Sequence, residues 1–261
     1  ATLLKPSRGR ATIGGVDVIR DPDRVRRMIG YVPDVFGVYE DLTVSEYLHF
    51  FAAAYRLPRK ERVRTIGDAL ELTDLTHRAR AQVDGLSRGM QQRLSIARVL
   101  LHDPRFLLLD EPASGLDPRA RIEMRELLKE LQRMGKTILI SSHILSELAQ
   151  LCSQIGIIEA GRMVAHGPLH SLFQQVDLQR TIHVQFAADD PGLEARIAAL
   201  PGVAGVQREI DRFALQIHEG AVAIEEVHAA LMSLGVGIRM FQPEALDMET
   251  AFMKLTEGRT A

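Results

Sequence analysis

A short apolar segment that ends in two carboxylates is the feature that most constrains the fold of this chain. Phe106 to Leu109 is an uninterrupted apolar run, and Asp110 and Glu111 follow it directly. Such a run is typical of a parallel strand covered on both faces, which delivers its last residues to the sheet edge where open α/β folds bind ligands. One carboxylate there can hold Mg²⁺ through its water shell, and a second can orient an attacking water. A strand that simply ends in acidic, solvent-facing residues explains the pair equally well.

Strand and helix patterns alternate on both sides of this segment, which favours an α/β sheet. Gly14-Gly15 predicts a hairpin turn, and Thr43 with Glu46 three residues later predicts a capped helix start. The predicted elements are a hairpin over 10–20, strands over 28–32, 106–109 and 137–140, helices over 43–56, 59–72, 86–101, 117–135 and 145–151, and paired strands over 155–159 and 162–166. The strand over 137–140 is expected to be buried.

From about residue 180 the pattern changes to β-α-β-β-α-β, which predicts a ferredoxin-like α+β domain over 180–257. Its elements are expected at 181–187, 191–200, 203–210, 212–218, 221–234 and 236–242, followed by an amphipathic helix around 247–256. His183, His218 and His228 fall on different elements, so surface positions are expected for them and a metal cluster is not.

The composition argues against several classes of protein. Lys plus Arg total 32 and Asp plus Glu total 34, so the chain lacks the basic balance of a typical nucleic-acid-binding domain. No apolar run approaches the roughly 20 residues that cross a bilayer, and the first ten residues do not form a secretory signal. The one cysteine, Cys152, fits a reducing cytosol and predicts a small buried side chain on a helix.

Further motifs flank the two carboxylates in a fixed order. Upstream lies Leu86-Ser87-Arg88-Gly89-Met90, downstream lies Ser114-Gly115-Leu116-Asp117, and His143 ends the next predicted strand. This series resembles the nucleotide-binding domain of ABC transporters, over residues 1 to about 170. The resemblance implies a P-loop NTPase-type parallel sheet with a helical subdomain at about 38–88, within a partial domain over 1–175. It also implies ATP and Mg²⁺ as ligands.

The resemblance assigns a role to each matching residue. Asp110 would hold magnesium as the Walker B residue, Glu111 would be the general base, and His143 would contact the γ-phosphate. Ser87 and Gly89 would grip the nucleotide of the opposite subunit, and Asp117 would cross the subunit interface. Taken alone, Ser87 is better explained as a plain helix N-cap, and a histidine after a strand is more often structural. For Asp117 the N-cap role and the interface role are compatible.

Two motifs depart from the family pattern, at three positions. Arg88 and Met90 replace a glycine and a glutamine of the usual Leu-Ser-Gly-Gly-Gln, although the second glycine is kept and Arg88 adds a positive charge. Asp34 stands where the family has glutamine, and its carboxylate would be a second magnesium ligand. Residues 35–47 would form the groove for a transporter's coupling helix, with Phe36 and Tyr39 as its apolar contacts or as core residues.

The largest departure is the phosphate-binding loop, because no segment of the sequence reads Gly-x-x-x-x-Gly-Lys-Ser/Thr. Gly9 and Gly14 have the spacing, but they fall in a hairpin and are followed by Gly15 and Val16. Leu3-Leu4-Lys5-Pro6 resembles the turn after the helix that this loop begins. We therefore expect a chain that lacks the first strand and the Walker A loop and is inactive alone.

The segment Phe241-Gln242-Pro243 and residues 246–256 resemble the tail of multidrug- and antibiotic-export ATPases. The expected protein is the ATP-hydrolysing subunit of an ABC exporter, peripheral on the cytoplasmic face of the inner membrane. Its expected partners are a transmembrane permease and a second nucleotide-binding subunit, and no nucleic acid is expected. A naturally truncated regulatory subunit and a non-transport ABC ATPase are the alternatives.

Overall fold

The computed structural model describes residues 1–35, 37, 41–169, 171–172, 179–188, 190–218, 222–244 and 248–256. It divides into two compact units, residues 1–147 and 148–261. Among the described helices, none is both long enough and apolar enough to cross a membrane. The domain division at 175–180 remains a prediction.

The first unit contains the predicted alternation of strands and helices. Its elements are β1 (Thr12–Ile13), β2 (Val16–Asp17), α1 (Pro22–Met28), β3 (Ile29–Val32), α2 (Val44–Ala54), α3 (Arg59–Leu72), a 3₁₀ turn (Thr76–Arg78), α4 (Arg88–Leu100), β4 (Phe106–Asp110), α5 (Pro118–Arg133) and β5 (Thr137–Ser141). Helix α6 (Leu145–Leu151) spans the division between the units. The hairpin at Gly14-Gly15 and the helix over 59–72 are confirmed.

Helix α1 was not predicted from the sequence, although its start carries the usual signals. The Asp21 side chain accepts a hydrogen bond from the N–H of Arg24, and Pro22 occupies the first turn. Only Val25 is buried among the residues of this helix. A seven-residue helix with one buried side chain shows too little apolar periodicity to be recognised.

The sheet of the first unit is parallel, with β4 between β3 and β5. The strand over 137–140 is confirmed, but its predicted burial is wrong. Along β5 the residues alternate between exposed and half-buried, and Leu139 is 68% exposed. The reason is its position, because within the described residues β5 pairs with β4 alone and forms the edge of the sheet.

Helices α2, α3 and α4 enclose an apolar core next to this sheet. Tyr47, Leu48 and Leu94 are fully buried in it. The predicted capping box is confirmed, since the Thr43 hydroxyl accepts from the N–H of Glu46 while the Glu46 carboxylate accepts from Thr43. The hydrogen bonds from the Thr43 hydroxyl and N–H hold the pKa of Glu46 below its ordinary value.

One side chain of α4 and one side chain of the turn that follows it connect this helical core to β3. Arg98 Nη2 donates to the carbonyl of Tyr31 at 3.4 Å, and its guanidinium lies 5.2 Å from the centre of the Phe51 ring. His102 Nε2 lies 2.9 Å from the carbonyl oxygen of Ile29, and burial lowers the pKa of this imidazole. Helix α4 is thereby fixed beside the sheet.

The second unit contains a hairpin and an antiparallel sheet. Its elements are β6 (Ile155–Glu159), β7 (Arg162–Gly167), β8 (Gln179–Phe186), α7 (Leu193–Ala198), β9 (Val203–Arg208), β10 (Phe213–His218), α8 (Ile224–Met232), β11 (Ile238–Pro243) and α9 (Met248–Leu255). The strand order β11-β8-β10-β9 places the fourth strand beside the first. With two helices in the β-α-β-β-α-β order, this is the predicted ferredoxin-like arrangement.

One face of this sheet packs on its helices through residues such as Ile182, Val184 and Leu215. His183 lies on the opposite face, and its side chain is 17% exposed, so this predicted surface residue is partly buried. Its Nδ1 lies 3.7 Å from a carboxylate oxygen of Glu209 and its Nε2 lies 4.0 Å from one of Glu244. The carboxylates on both sides cover this histidine.

Candidate functional site

The carboxyl ends of β4 and β5 bring the predicted catalytic side chains together. Asp110 pairs with Ser141 in the register of the two strands. His143 Nδ1 lies 2.8 Å from a carboxylate oxygen of Glu111, within hydrogen-bonding distance. The histidine side chain is 69% exposed and the glutamate side chain 24% exposed, so the pair is accessible to a ligand.

Glu111 has a backbone conformation that side chains seldom adopt. Its φ is +47°, in the left-handed region, where a residue other than glycine is held at some conformational cost. Its N–H donates to Ser141, with the carbonyl oxygen at 3.1 Å and the hydroxyl oxygen at 3.2 Å. The bend turns the chain sharply after β4, and β5 supplies the hydrogen bonds that keep the bend in place.

Ser141 contacts both predicted site carboxylate residues, and the sequence did not predict this. Its hydroxyl donates to Asp110 Oδ1 at 2.6 Å, a charge-assisted hydrogen bond of normal geometry. This bond fixes the orientation of the carboxylate and leaves its other oxygen for a ligand. A hydroxyl residue at the end of the strand next to the acidic one is a signal that could have identified it.

The second group of predicted residues lies at the starts of α4 and α5. Ser87 is the N-cap of α4 and accepts from the N–H of Met90 at 3.3 Å. Asp117 is the N-cap of α5 and accepts from the N–H of Ala120 at 2.9 Å. Both side chains therefore cap their helices, a role that the sequence predicted for each, and both residues are exposed.

Gly89 explains how closely these two helix starts approach. A Cβ atom at Gly89 would lie 2.9 Å from the Cβ of Ala120, closer than two carbon atoms can pack. Any side chain at this position would push α4 away from α5. The glycine of the motif thus has a packing role, whichever ligand the helix end binds.

Asp34 is exposed and follows β3 by two residues. Because Val32 pairs with Leu109, Asp34 belongs to the same carboxyl edge as Asp110. No group of three or more histidine, cysteine, aspartate or glutamate side chains that could hold a metal ion is found among the residues with described positions. Phe36 and Tyr39, the predicted groove contacts, lie outside those residues.

The comparisons with known proteins agree with this arrangement. The family model described as ABC transporter matches residues 1–114. The linearmycin resistance ATP-binding protein of Bacillus subtilis is 30% identical over 262 residues, covering 99% of this chain and 83% of that protein. The Nod factor export ATP-binding protein I of Rhizobium meliloti is 39% identical over 173 residues, covering 66% of this chain and 52% of that protein.

Solved structures show the same relationship. One described as an ATP binding subunit of an ABC transporter is 34% identical with a TM-score of 0.59, covering 66% of this chain and 72% of that one. Another, cbiO1 from Clostridium perfringens, is 30% identical with a TM-score of 0.61, covering 66% and 70%. From its parallel sheet, its motifs and these relatives, the chain belongs to the family of ABC transporter ATP-binding proteins.

Proposed function

We propose that this chain is the part of an ATP-hydrolysing subunit that carries the general base and powers a membrane exporter. The observation that carries the proposal is the contact of 2.8 Å between His143 and Glu111, at the end of the strand that also presents Asp110. A carboxylate held by an imidazole beside a second carboxylate is suited to orient a water for attack on a phosphate.

Each side chain has a defined task in this proposal. Glu111 accepts the proton of the attacking water, and its carboxylate is held beside His143. A doubly protonated His143 donates to the glutamate through Nδ1 and can donate to a phosphate oxygen through Nε2 of the exposed ring. Ser141 keeps Asp110 in one orientation through its hydroxyl.

The residues present fit Mg²⁺ as a ligand of the site. Mg²⁺ prefers oxygen donors, keeps several waters and takes one or two carboxylates together with phosphate oxygens. Asp110 has one oxygen committed to Ser141 and can offer the other, with Asp34 on the neighbouring strand end as a second candidate. When bound, the ion neutralises charge that develops on the phosphates.

The proposal further includes a nucleotide shared between two subunits. Ser87 and Gly89 begin α4, where unpaired N–H groups and the helix dipole favour an anion. Asp117 begins α5 directly beside them, because Gly89 contacts Ala120. In a pair of subunits, these helix starts would face the γ-phosphate held by the partner.

Hydrolysis also requires a phosphate cradle, and the sequence contains no Gly-x-x-x-x-Gly-Lys-Ser/Thr segment. We propose that residues 1–261 alone are therefore inactive and that a further strand carrying the loop pairs with β5. The exposed edge of β5 supports this, since a parallel strand placed there would cover Leu139, which is 68% exposed.

We propose a transmembrane permease as the partner and a peripheral position on the cytoplasmic face of the membrane. The names of two relatives refer to linearmycin resistance and to Nod factor export, which supports export as the direction of transport. The cargo would be selected by the permease.

The test is MgATP hydrolysis by this chain with a strand and a Gly-x-x-x-x-Gly-Lys-Ser/Thr loop joined ahead of Ala1. The Glu111→Gln variant should lower turnover by a factor of about 10² to 10⁴, the usual contribution of a general base, while ATP binding is retained. The matched control replaces the loop lysine by alanine and should lose ATP binding as well. Unchanged turnover in the Glu111→Gln variant would refute the assignment of the base.

A further inference from the structure

The starts of α4 and α5 are joined by a contact that involves Arg88, the residue that departs from the family pattern. A Cβ atom at Gly115 would lie 2.4 Å from Nη1 and 2.6 Å from Cζ of Arg88. The guanidinium therefore occupies the space that a side chain at Gly115 would need. Arg88 is the first residue of α4, and Gly115 lies in the turn that leads to α5.

Gly115 is constrained in a second way by its backbone. Its φ is +65°, a left-handed conformation that glycine adopts without steric cost. The neighbouring hydrogen bonds run from the N–H of Ser114 to the carbonyl of Glu111 at 3.0 Å and from that of Leu116 to Ala113 at 3.3 Å. The turn thus leads directly from the general base to Asp117.

The other side of this turn is held by α5 itself. Arg121 Nε donates to the carbonyl of Leu116 at 2.9 Å, which ties the turn to the helix that it precedes. Arg88 reaches the same turn from α4. The two arginines therefore hold residues 114–117 from two different helices.

We propose that Arg88 is a positioning residue that fixes the 114–117 turn against the start of α4. The inference rests on the proposed function, in which Ser87, Gly89 and Asp117 face one nucleotide of a partner subunit. With the guanidinium packed on Gly115, these residues keep a constant spacing. In this proposal the Arg88 guanidinium acts by packing on Gly115 and is not assigned as a phosphate ligand.

The contact is tested by a double-mutant cycle on the unfolding equilibrium of residues 1–261, with Arg88→Ala, Gly115→Ala and their combination. The control is Gly135→Ala, because Gly135 has a φ of +84° and a Cβ there would meet nothing within 4 Å. Both glycine changes should lower the folding equilibrium constant by about 5- to 30-fold through the left-handed backbone.

With Arg88 present, Gly115→Ala should lower the folding equilibrium constant by about threefold more than Gly135→Ala does. A threefold effect is near the lower end of the coupling measured between residues in contact. In the Arg88→Ala background, this difference should vanish. Equal costs of Gly115→Ala in the two backgrounds would overturn the proposal.

A second readout separates positioning from general stability. Amide hydrogen exchange by NMR should become at least about threefold faster at residues 114–117 in the Arg88→Ala variant, as expected for coupled residues in contact, with core amides of α2 unchanged. Arg88→Lys, which keeps the stem and the charge, should restore part of this protection. Unchanged exchange at 114–117 would overturn the proposal. Neither experiment involves ATP, so loss of the hydrolysis assignment would leave these outcomes decisive.

Discussion

Gly30 in β3 is the position where a minimal change should disturb the link between the sheet and α4. A Cβ atom there would lie 3.0 Å from Leu107 Cδ2, 3.0 Å from Val99 Cβ and 3.1 Å from Pro104 Cγ. Val99 belongs to α4 and Leu107 to β4, so the glycine lies where helix and sheet approach each other. We predict that Gly30→Ala destabilises the first unit.

The size of the effect follows from which atoms can move. Val99 Cβ and the ring of Pro104 are attached rigidly to their own backbones, so they can only move with α4 and the turn after it. Added methyl groups in packed cores cost about 1–3 kcal/mol. Alanine also restricts the unfolded chain, which offsets about 0.4–1 kcal/mol. With mid-range values of about 2 and about 0.7 kcal/mol for these two contributions, the expected net loss in the free energy of unfolding is about 1.3 kcal/mol.

The assay is urea denaturation of both variants, followed by circular dichroism. Gly67→Ala is the matched control, because Gly67 lies inside α3 and a Cβ there would meet nothing within 4 Å. That change should raise the free energy of unfolding by roughly 0.5–1 kcal/mol, the difference between glycine and alanine in a helix. Gly30→Ala should therefore lower the free energy of unfolding, whereas Gly67→Ala should raise it. A change in the same direction for both variants would refute the packing described here.

Three further outcomes are expected. Leu139→Lys should reduce self-association in light scattering, because an exposed apolar edge strand pairs with other chains, and unchanged scattering would contradict this. The pKa of Glu46 is lowered by hydrogen bonds from the Thr43 hydroxyl and N–H, so its stabilising effect is present above the ordinary pKa and lost as pH falls through the lowered one. Thr43→Ala removes the hydroxyl but keeps the N–H, so it should reduce this pKa shift in an NMR titration without abolishing it. Burial raises the pKa of the Cys152 thiol, so its alkylation rate should reach half-maximum at higher pH than for free cysteine.

The sequence predicts those parts of the fold that local interactions determine. The start of α2 depends on Thr43 and Glu46, three residues apart, and the turn of the first hairpin depends on two adjacent glycines. The residues in each of these contacts are close to one another in the sequence, so the contacts can be predicted from it. Helix α1 has similar cap residues but too few apolar positions, so the same reasoning does not find it.

Burial and contacts between strands depend on distant residues and are harder to predict. The composition of residues 137–140 resembles that of β4, yet β5 is exposed because it lies at the edge of the sheet. The same limit applies to Ser141, since its bond to Asp110 follows from the pairing of two strands 31 residues apart. The motif residues indicated where the site lies, and the pairing of β4 with β5 placed Ser141 next to them.

The most direct test of this account compares MgATP turnover by purified residues 1–261 with turnover by the same chain carrying a phosphate-binding strand and loop ahead of Ala1. We predict background turnover for the first and hydrolysis for the second, because Glu111 and His143 need a held γ-phosphate to act on. Hydrolysis by residues 1–261 alone that is lost in the Glu111→Gln variant would contradict the account, as would a loop-bearing chain that binds MgATP without hydrolysing it.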